Sequence, residues 1–214
     1  MALHIGQRAV MKARTFSDLM ILMQRSIGTA YPLRTGRLHE VSGPGAITYV
    51  LWTARQMGVD VLWVREQWQP EMLYPQGFEG FDPARLVMAL AKDQTDVLAV
   101  AEEALRDGAF GMVALQISAP LSLTVGRRLQ LAAQAGGKTG LCLIPEGMGS
   151  NATETRWHSA PIFDPDDSTL QCWQLIKNKS GTLGYWHVRW NTEAGRVAVV
   201  PPALQRPGSE DAPD

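Results

Sequence analysis

From residue 38 to residue 144 the chain switches between short, nearly unbroken apolar runs and longer stretches whose apolar positions recur every three or four residues. "VDVLWVRE" (59–66), "GMVALQI" (111–117) and "TGLCLI" (139–144) are of the first kind, the mark of strands covered on both faces, as in a parallel sheet, and "RLVMALA" (85–91) is a further apolar run. "AITYVLWTARQM" (46–57), "DQTDVLAVAEEALRDG" (93–108) and "LSLTVGRRLQLAAQA" (121–135) are of the second kind and predict helices. Their stops are glycines: Gly58, Gly108 and the Gly136-Gly137 pair. Asp93 is placed to cap the second of these helices, with Val97, Val100, Ala101 and Ala104 on one face. Residues 82–91 need arbitration, because Asp82-Pro83 is able to start a helix; since 93–108 already supplies a well-marked one, "RLVMALA" reads as a strand. "LHEVSGPG" (38–45) is a further strand, ending in a glycine turn. Strands alternating with helices imply right-handed crossovers and a mainly parallel α/β sheet.

The pattern changes after residue 150. "TRWHSAP", "LQCWQLIKNK" and "YWHVRW" have no helix between them, and the last two flank "SGTLG", a glycine-containing hairpin turn. They predict an antiparallel extension of the sheet. Upstream, "FSDLMILMQRSI" (16–27) has Ser17 as N-cap and Gly28 as stop and predicts a first helix, followed by the linker "AYPLRTGR". The expected organisation is an N-terminal helix and linker over 1–37, one α/β domain over 38–200, and a disordered tail over 201–214, rich in Pro, Gly and acid.

At 214 residues and 45% apolar content the chain is able to bury a full core as one domain. A formal net charge of -1 gives no global attraction to nucleic acid. "DLMILM" is too short to span a bilayer and lies too far from the start for a signal peptide, so a cytoplasmic location is expected. Cys142 and Cys172 sit in apolar strand-like runs with no C-x-x-C spacing, and His4, His39, His158 and His187 lack metal-ligand spacing, so neither disulfide nor metal is expected. "AGGKTG" (135–140) ends like a phosphate-binding loop. Its first glycine, however, is Ala132, and the order is helix then strand where the motif needs strand then helix. Gly136 and Gly137 read instead as a helix C-cap.

Strand order, the glycine turn after the first strand and the closing hairpin together resemble the core of the RecA-type recombinase ATPases. Within that superfamily the chain resembles the ImuA proteins of bacterial SOS mutagenesis, which in turn resemble the SulA cell-division inhibitors. The likeness runs from about Leu38 to Trp190. Its most specific element is "QLIKNKSGTLGYWHVRW", which is similar to the Lys-Asn-Lys hairpin of RecA and the tryptophan-rich ending of ImuA; "GFDPARL" and "EALRDGAFGMVAL" add to it. A RecA-like core is the fold this implies.

The resemblance also marks what is missing. Gly43 and Pro44 stand where RecA proteins carry the phosphate loop, but its lysine and hydroxyl partner are absent; Thr48 replaces one hydroxyl at most. Charge-assisted hydrogen bonds contribute roughly 1.5–3 kcal/mol each, so losing two or three weakens triphosphate binding by a few orders of magnitude. Gln116 stands where the superfamily places the acid that holds Mg²⁺. Glu66 matches the glutamate that polarises the attacking water, or is an ordinary surface carboxylate at a strand end. Phosphoryl transfer rests on positioning and charge neutralisation, so the resemblance implies a pseudo-ATPase with no cofactor.

The loops corresponding to the DNA-facing ones, "SAPLS" and "PEGMGSNATET", are not basic, so direct DNA binding is not expected. Arg127, Arg128 and Lys138 read as a solvated helix face. Lys177 and Lys179, with Asn178 between them, read either as two exposed charges on one strand face or as the counterparts of the RecA lysines that reach a neighbour's nucleotide. Trp186, Val188 and Trp190 share one strand face and Tyr185, His187 and Arg189 the other, the tryptophans being core or a partner contact. By resemblance the chain is expected to act as an adaptor in damage-induced translesion synthesis, with an ImuB-like protein, an error-prone polymerase and RecA as partners and with homo-oligomerisation open. Two rivals stand beside this: a SulA-like inhibitor of cell-division filaments, and a divergent ATPase that borrows a lysine such as Lys138.

Overall fold

The computed structural model describes residues 27, 30–70, 73–78 and 80–201. The helix expected over 16–27 lies, but for Ile27, outside the described residues, as does the tail beyond Pro201. Among the described residues nine strands form one sheet: β1 (Leu38–Ser42), β2 (Val61–Glu66), β3 (Leu86–Ala91), β4 (Met112–Gln116), β5 (Thr139–Leu143), β6 (Thr155–Pro161), β7 (Gln171–Asn178), β8 (Gly184–Asn191) and β9 (Arg196–Val200). Three helices accompany them: α1 (Ala46–Met57), α2 (Gln94–Asp107) and α3 (Leu123–Gly136). The spatial order is β3-β2-β4-β5-β1-β6-β7-β8-β9.

The apolar runs become the parallel centre. β1, β2, β4 and β5 are buried almost throughout, because α1 covers one face and α2 and α3 the other. Each helix ends on a left-handed glycine, Gly58, Gly108 and Gly137 in turn. Asp93 and Ser122 cap α2 and α3 by accepting from Asp96 N and Val125 N. Asp82-Pro83 does start a helix, but only the single 3-10 turn Pro83–Arg85, after which β3 follows.

Two expectations need correction. "TRWHSAP" does not open the antiparallel extension: β6 runs parallel to β1, with Glu40 beside Arg156, and only β7, β8 and β9 are antiparallel. Residues 144–154 return the chain across the sheet without a helix, held by a buried carboxylate described below. Residues 30–37 are not a free linker, since Leu33 is buried, Tyr31 packs edge-on against Trp173 at 5.1 Å, and Gly36 N–H donates to Lys138 O. "RVAVV" forms β9, a strand that the alternation of the preceding segments does not single out.

Candidate functional site

In a parallel sheet all strands end on one edge, and that edge is where α/β proteins gather ligands. Gly43 follows β1 there, and Gly43-Pro44-Gly45 turns the chain into α1. The turn is closed from the β6 side. Gly45 N–H donates to Ser159 O at 2.8 Å, Ala46 N–H to Gly43 O at 3.0 Å and Tyr49 N–H to Gly45 O at 2.9 Å. These amides therefore hold protein carbonyls. Gly43 has φ +91, and a Cβ there meets Ser159 O at 2.5 Å and His158 Nε2 at 2.7 Å; one at Gly45 meets Ser159 Oγ at 2.5 Å and Gln171 Oε1 at 2.8 Å. His158 Nε2 in turn lies 3.2 Å from Glu146 Oε1. One ring away from the turn there is thus a carboxylate, where a phosphate needs a cation.

Pro44 is exposed and Thr48, one turn into α1, is half-buried. Gln116 and Glu66 share the same sheet edge but not the same face. Strand alternation puts Gln116 with Met112 and Ala114, on the α1 side, and Glu66 with Leu62 and Val64, on the α2 side. Gln116 Oε1 accepts from Trp63 Nε1 at 3.4 Å, and Glu66 Oε2 from Gln69 Nε2 at 3.4 Å. Glu66 is only 4% exposed, which corrects its reading as a surface carboxylate. Lys138 sits just before β5, at the edge where strands begin, and its carbonyl accepts from Gly36. The length of β1, roughly 15 Å at about 3.3 Å per residue, separates that edge from Gly43, so Lys138 does not reach the turn.

The residue the sequence reading passes over is Glu40. It is 0% exposed in the middle of β1, and its carboxylate accepts from Ser150 N at 2.7 Å, Thr153 Oγ1 at 3.0 Å and Arg156 Nε at 2.8 Å. The acid sits inside an apolar strand, which is the signal that marks it. Lys177 joins the same cluster from β7, donating to Ser150 O at 2.9 Å, Thr153 O at 2.7 Å and Thr153 Oγ1 at 3.1 Å. A register shift between Arg156 and Trp157 brings Lys177 opposite Arg156 and onto that face. Burial depresses the Lys177 ammonium below its ordinary range, with Glu40 opposing the shift. Lys179 Nζ donates to Ala152 O at 2.6 Å. Both lysines are thus engaged with the 150–153 segment of their own chain, and neither is a free surface charge. Asn178 closes the hairpin by donating to Thr182 O and accepting from Ser180 N and Oγ.

Trp186 and Trp190 resolve to the core reading, at 9% and 6% exposed; their partner-facing alternative is corrected. With Trp52, Trp157, Trp173, Tyr31 and Tyr49 they fill the space between α1 and β6–β8, Tyr49 and Trp173 having centroids 4.5 Å apart. Tyr185 and Arg189 face outward as the alternation predicts. Leu123 and Leu131 are exposed on α3, and with Arg127, Asn151 and Lys179 they line an open groove. Cys142 and Cys172 are both free thiols. Among the described residues no group of His, Cys, Asp and Glu is arranged to hold a metal, and no helix is long and apolar enough to cross a membrane.

No family model matches the chain. Protein ImuA from two strains of Caulobacter vibrioides, NA1000 / CB15N and ATCC 19089 / CIP 103742 / CB 15, is in each case 29% identical over 209 residues, covering 81% of this chain and 84% of the relative. Among solved structures, the crystal structure of the RadB recombinase matches with a TM-score of 0.59 at 16% identity, covering 78% of this chain and 92% of RadB. The fold is RecA-like, a mostly parallel sheet with flanking helices and C-terminal antiparallel strands, and the similarity to ImuA is distant.

Proposed function

We propose that this chain is a non-catalytic RecA-fold adaptor in SOS-induced translesion DNA synthesis, a pseudo-ATPase that works by protein contact. Its partners in this reading are an ImuB-like protein, an error-prone polymerase and RecA. The observation that carries it is the donation of Gly45 N–H to Ser159 O at 2.8 Å. An amide at the head of α1 that is aimed at phosphate in a working loop is occupied here by a backbone carbonyl, beside the Glu146–His158 pair. The distant similarity to ImuA supports the pathway, and the Lys177–Lys179 hairpin, bordering the open groove of α3, is the partner face in this reading.

The test has two arms. Titration of the intact protein with Mg-ATP is expected to give no saturable heat and no turnover; tight binding with turnover abolished by Glu66→Gln sinks the pseudo-ATPase reading. Co-purification from DNA-damaged cells is expected to recover polymerase subunits, an ImuB-like protein or RecA. Recovery of the cell-division filament protein in their place favours the inhibitor rival.

A further inference from the structure

Two complementary features lie at opposite ends of β6. Beyond its end, Phe163 is 92% exposed. The loop that carries it is held in place. Ile162 N–H donates to Leu170 O at 2.9 Å, Asp164 Oδ1 accepts from Asp166 N at 2.9 Å and Asp167 N at 3.0 Å, and Asp167 Oδ1 accepts from Thr169 N at 2.9 Å and Thr169 Oγ1 at 2.7 Å. Asp166 is exposed and, among the described residues, has no ion-pair partner. The loop thus presents a preordered aromatic side chain flanked by carboxylates, and docking it costs little further ordering. Before the start of β6, Asn151 and Ala152 pack close to α3, where Gly126 permits the approach: a Cβ there meets Ser150 Oγ at 2.6 Å. With Leu123, Arg127, Leu131 and Lys179 they line the open groove, about 420 Å³, room for one aromatic side chain. Leu123 and Leu131 are 47% and 63% exposed, and Arg127 lies one turn from each. Arg128 is tied to Glu102 at 2.5 Å, whereas Arg127 has no ion-pair partner among the described residues. Lys179 gives Nζ to the Ala152 carbonyl, which leaves its charge without a carboxylate.

We infer that this groove receives Phe163 of a second copy of the chain, with Asp164 and Asp166 of that copy set beside Arg127 and Lys179. The match holds in both kinds of contact: an aromatic anchor enters between two leucines, and its carboxylate flanks meet the two cations that rim them. The groove's own Phe163 cannot fill it. β6 spans seven residues, roughly 20 Å at about 3.3 Å per residue, and the loop bonds hold Phe163 beyond its far end. Because each copy carries both halves, every groove meets its complement at its own concentration. One anchor and one groove per copy link the copies head to tail. The inference is independent of the adaptor reading, since it concerns the purified chain alone and needs neither RecA nor a polymerase.

The test is sedimentation equilibrium of the full chain over a wide concentration range. The expected result is reversible growth of mass with concentration. Phe163→Ala, which removes the anchor, and Leu131→Asp, which spoils the groove, each raise the dissociation constant about thirtyfold or more, the effect of losing an interface hot spot. Both side chains are exposed, so the single copy tolerates either change, and unaltered far-ultraviolet circular dichroism checks this. The deciding measurement mixes the two variants. Phe163→Ala keeps a sound groove and Leu131→Asp a sound anchor, so each is monomeric alone and the mixture forms a 1:1 complex. Arg127→Glu takes the place of Leu131→Asp if the latter misfolds. A wild-type chain that stays monomeric at all concentrations overturns the proposal, which includes the case in which a different protein fills the groove. So does self-association that survives Phe163→Ala, or a mixture that forms no complex.

Discussion

Arg156 donates through Nε to Glu40 Oε2 at 2.8 Å, and the carboxylate it meets is fully enclosed. This pair, with Ser150 N and Thr153 Oγ1 on the remaining lone pairs, is what allows residues 144–154 to cross from β5 to β6 without a helix. Breaking a buried pair strands a charge, and the typical cost is about 3–5 kcal/mol. Arg156→Ala is therefore expected to lower unfolding free energy by that amount in urea titration. A double Glu40→Gln, Arg156→Gln variant, which removes both charges of the pair and leaves only the Lys177 ammonium in the cluster, is expected to recover part of it. Equal loss in single and double variants contradicts the pairing.

Lys177 and Lys179 are separable by stability. Lys177 satisfies two backbone carbonyls and a hydroxyl, so Lys177→Ala is expected to cost about 1.5–3 kcal/mol, the range for hydrogen bonds to a charged group. Lys179 makes one such bond from an exposed site, and Lys179→Ala is expected to cost under about 1 kcal/mol. Partner capture measured well below the melting temperature then isolates the adaptor role. In that reading the double alanine variant loses RecA or polymerase although it remains folded, and undiminished capture removes these lysines from the partner face.

The β1–α1 turn yields a prediction of the opposite kind. Gly43 combines φ +91 with a Cβ position 2.5 Å from a backbone oxygen, which cannot swing aside. Left-handed strain of about 1–2 kcal/mol and overpacking of about 1–3 kcal/mol make Gly43→Ala roughly 2–5 kcal/mol less stable. Thermal denaturation of the variant checks this. A fall of only a few tenths of a kcal/mol means that Gly43 is neither left-handed nor packed against Ser159.

Most of the scaffold was legible because its signals are local. The unbroken apolar runs gave β2, β4 and β5, and the glycines after 57, 107 and 136 stopped the helices as the chemistry of left-handed caps requires. What escaped is non-local. Nothing in "TRWHSAP" tells that β1 will lie on one side of it as well as β7 on the other, so its parallel pairing was invisible. The closure of the turn depends on Ser159, 114 positions from Gly45 along the chain. Lys177 was legible as a notable residue but not as an internal one, because a register shift in the β6–β7 ladder decides which face it takes. Glu40 and His39 left a trace, two polar residues within a strand buried at every position. That trace asks for buried partners without naming them.

His39 gives the fold a pH dependence whose sign follows from its hydrogen bonds. Nε2 lies 3.0 Å from Arg34 O, a carbonyl that only accepts, so Nε2 carries the proton. Nδ1, 2.7 Å from Thr155 Oγ1, then accepts from that hydroxyl, whose oxygen also takes the Trp157 indole N–H at 3.0 Å. A second proton on the ring breaks this chain and charges a group with no exposure. Burial accordingly pushes the His39 pKa from 6.5 down to about 4, the Arg34 carbonyl opposing only in part. The unfolded chain therefore binds a proton that the folded chain refuses between about pH 6.5 and 4. The contribution is fully present above pH 6.5 and declines as pH falls through that window, by about 3 kcal/mol if this residue acts alone. Urea titrations at pH 7, 5.5 and 4.5 are expected to show stability falling by about 1.4 kcal/mol per pH unit in the lower part of the range. In His39→Gln that component of the slope disappears, whatever the variant loses at neutral pH. An unchanged slope assigns the acid sensitivity to other groups.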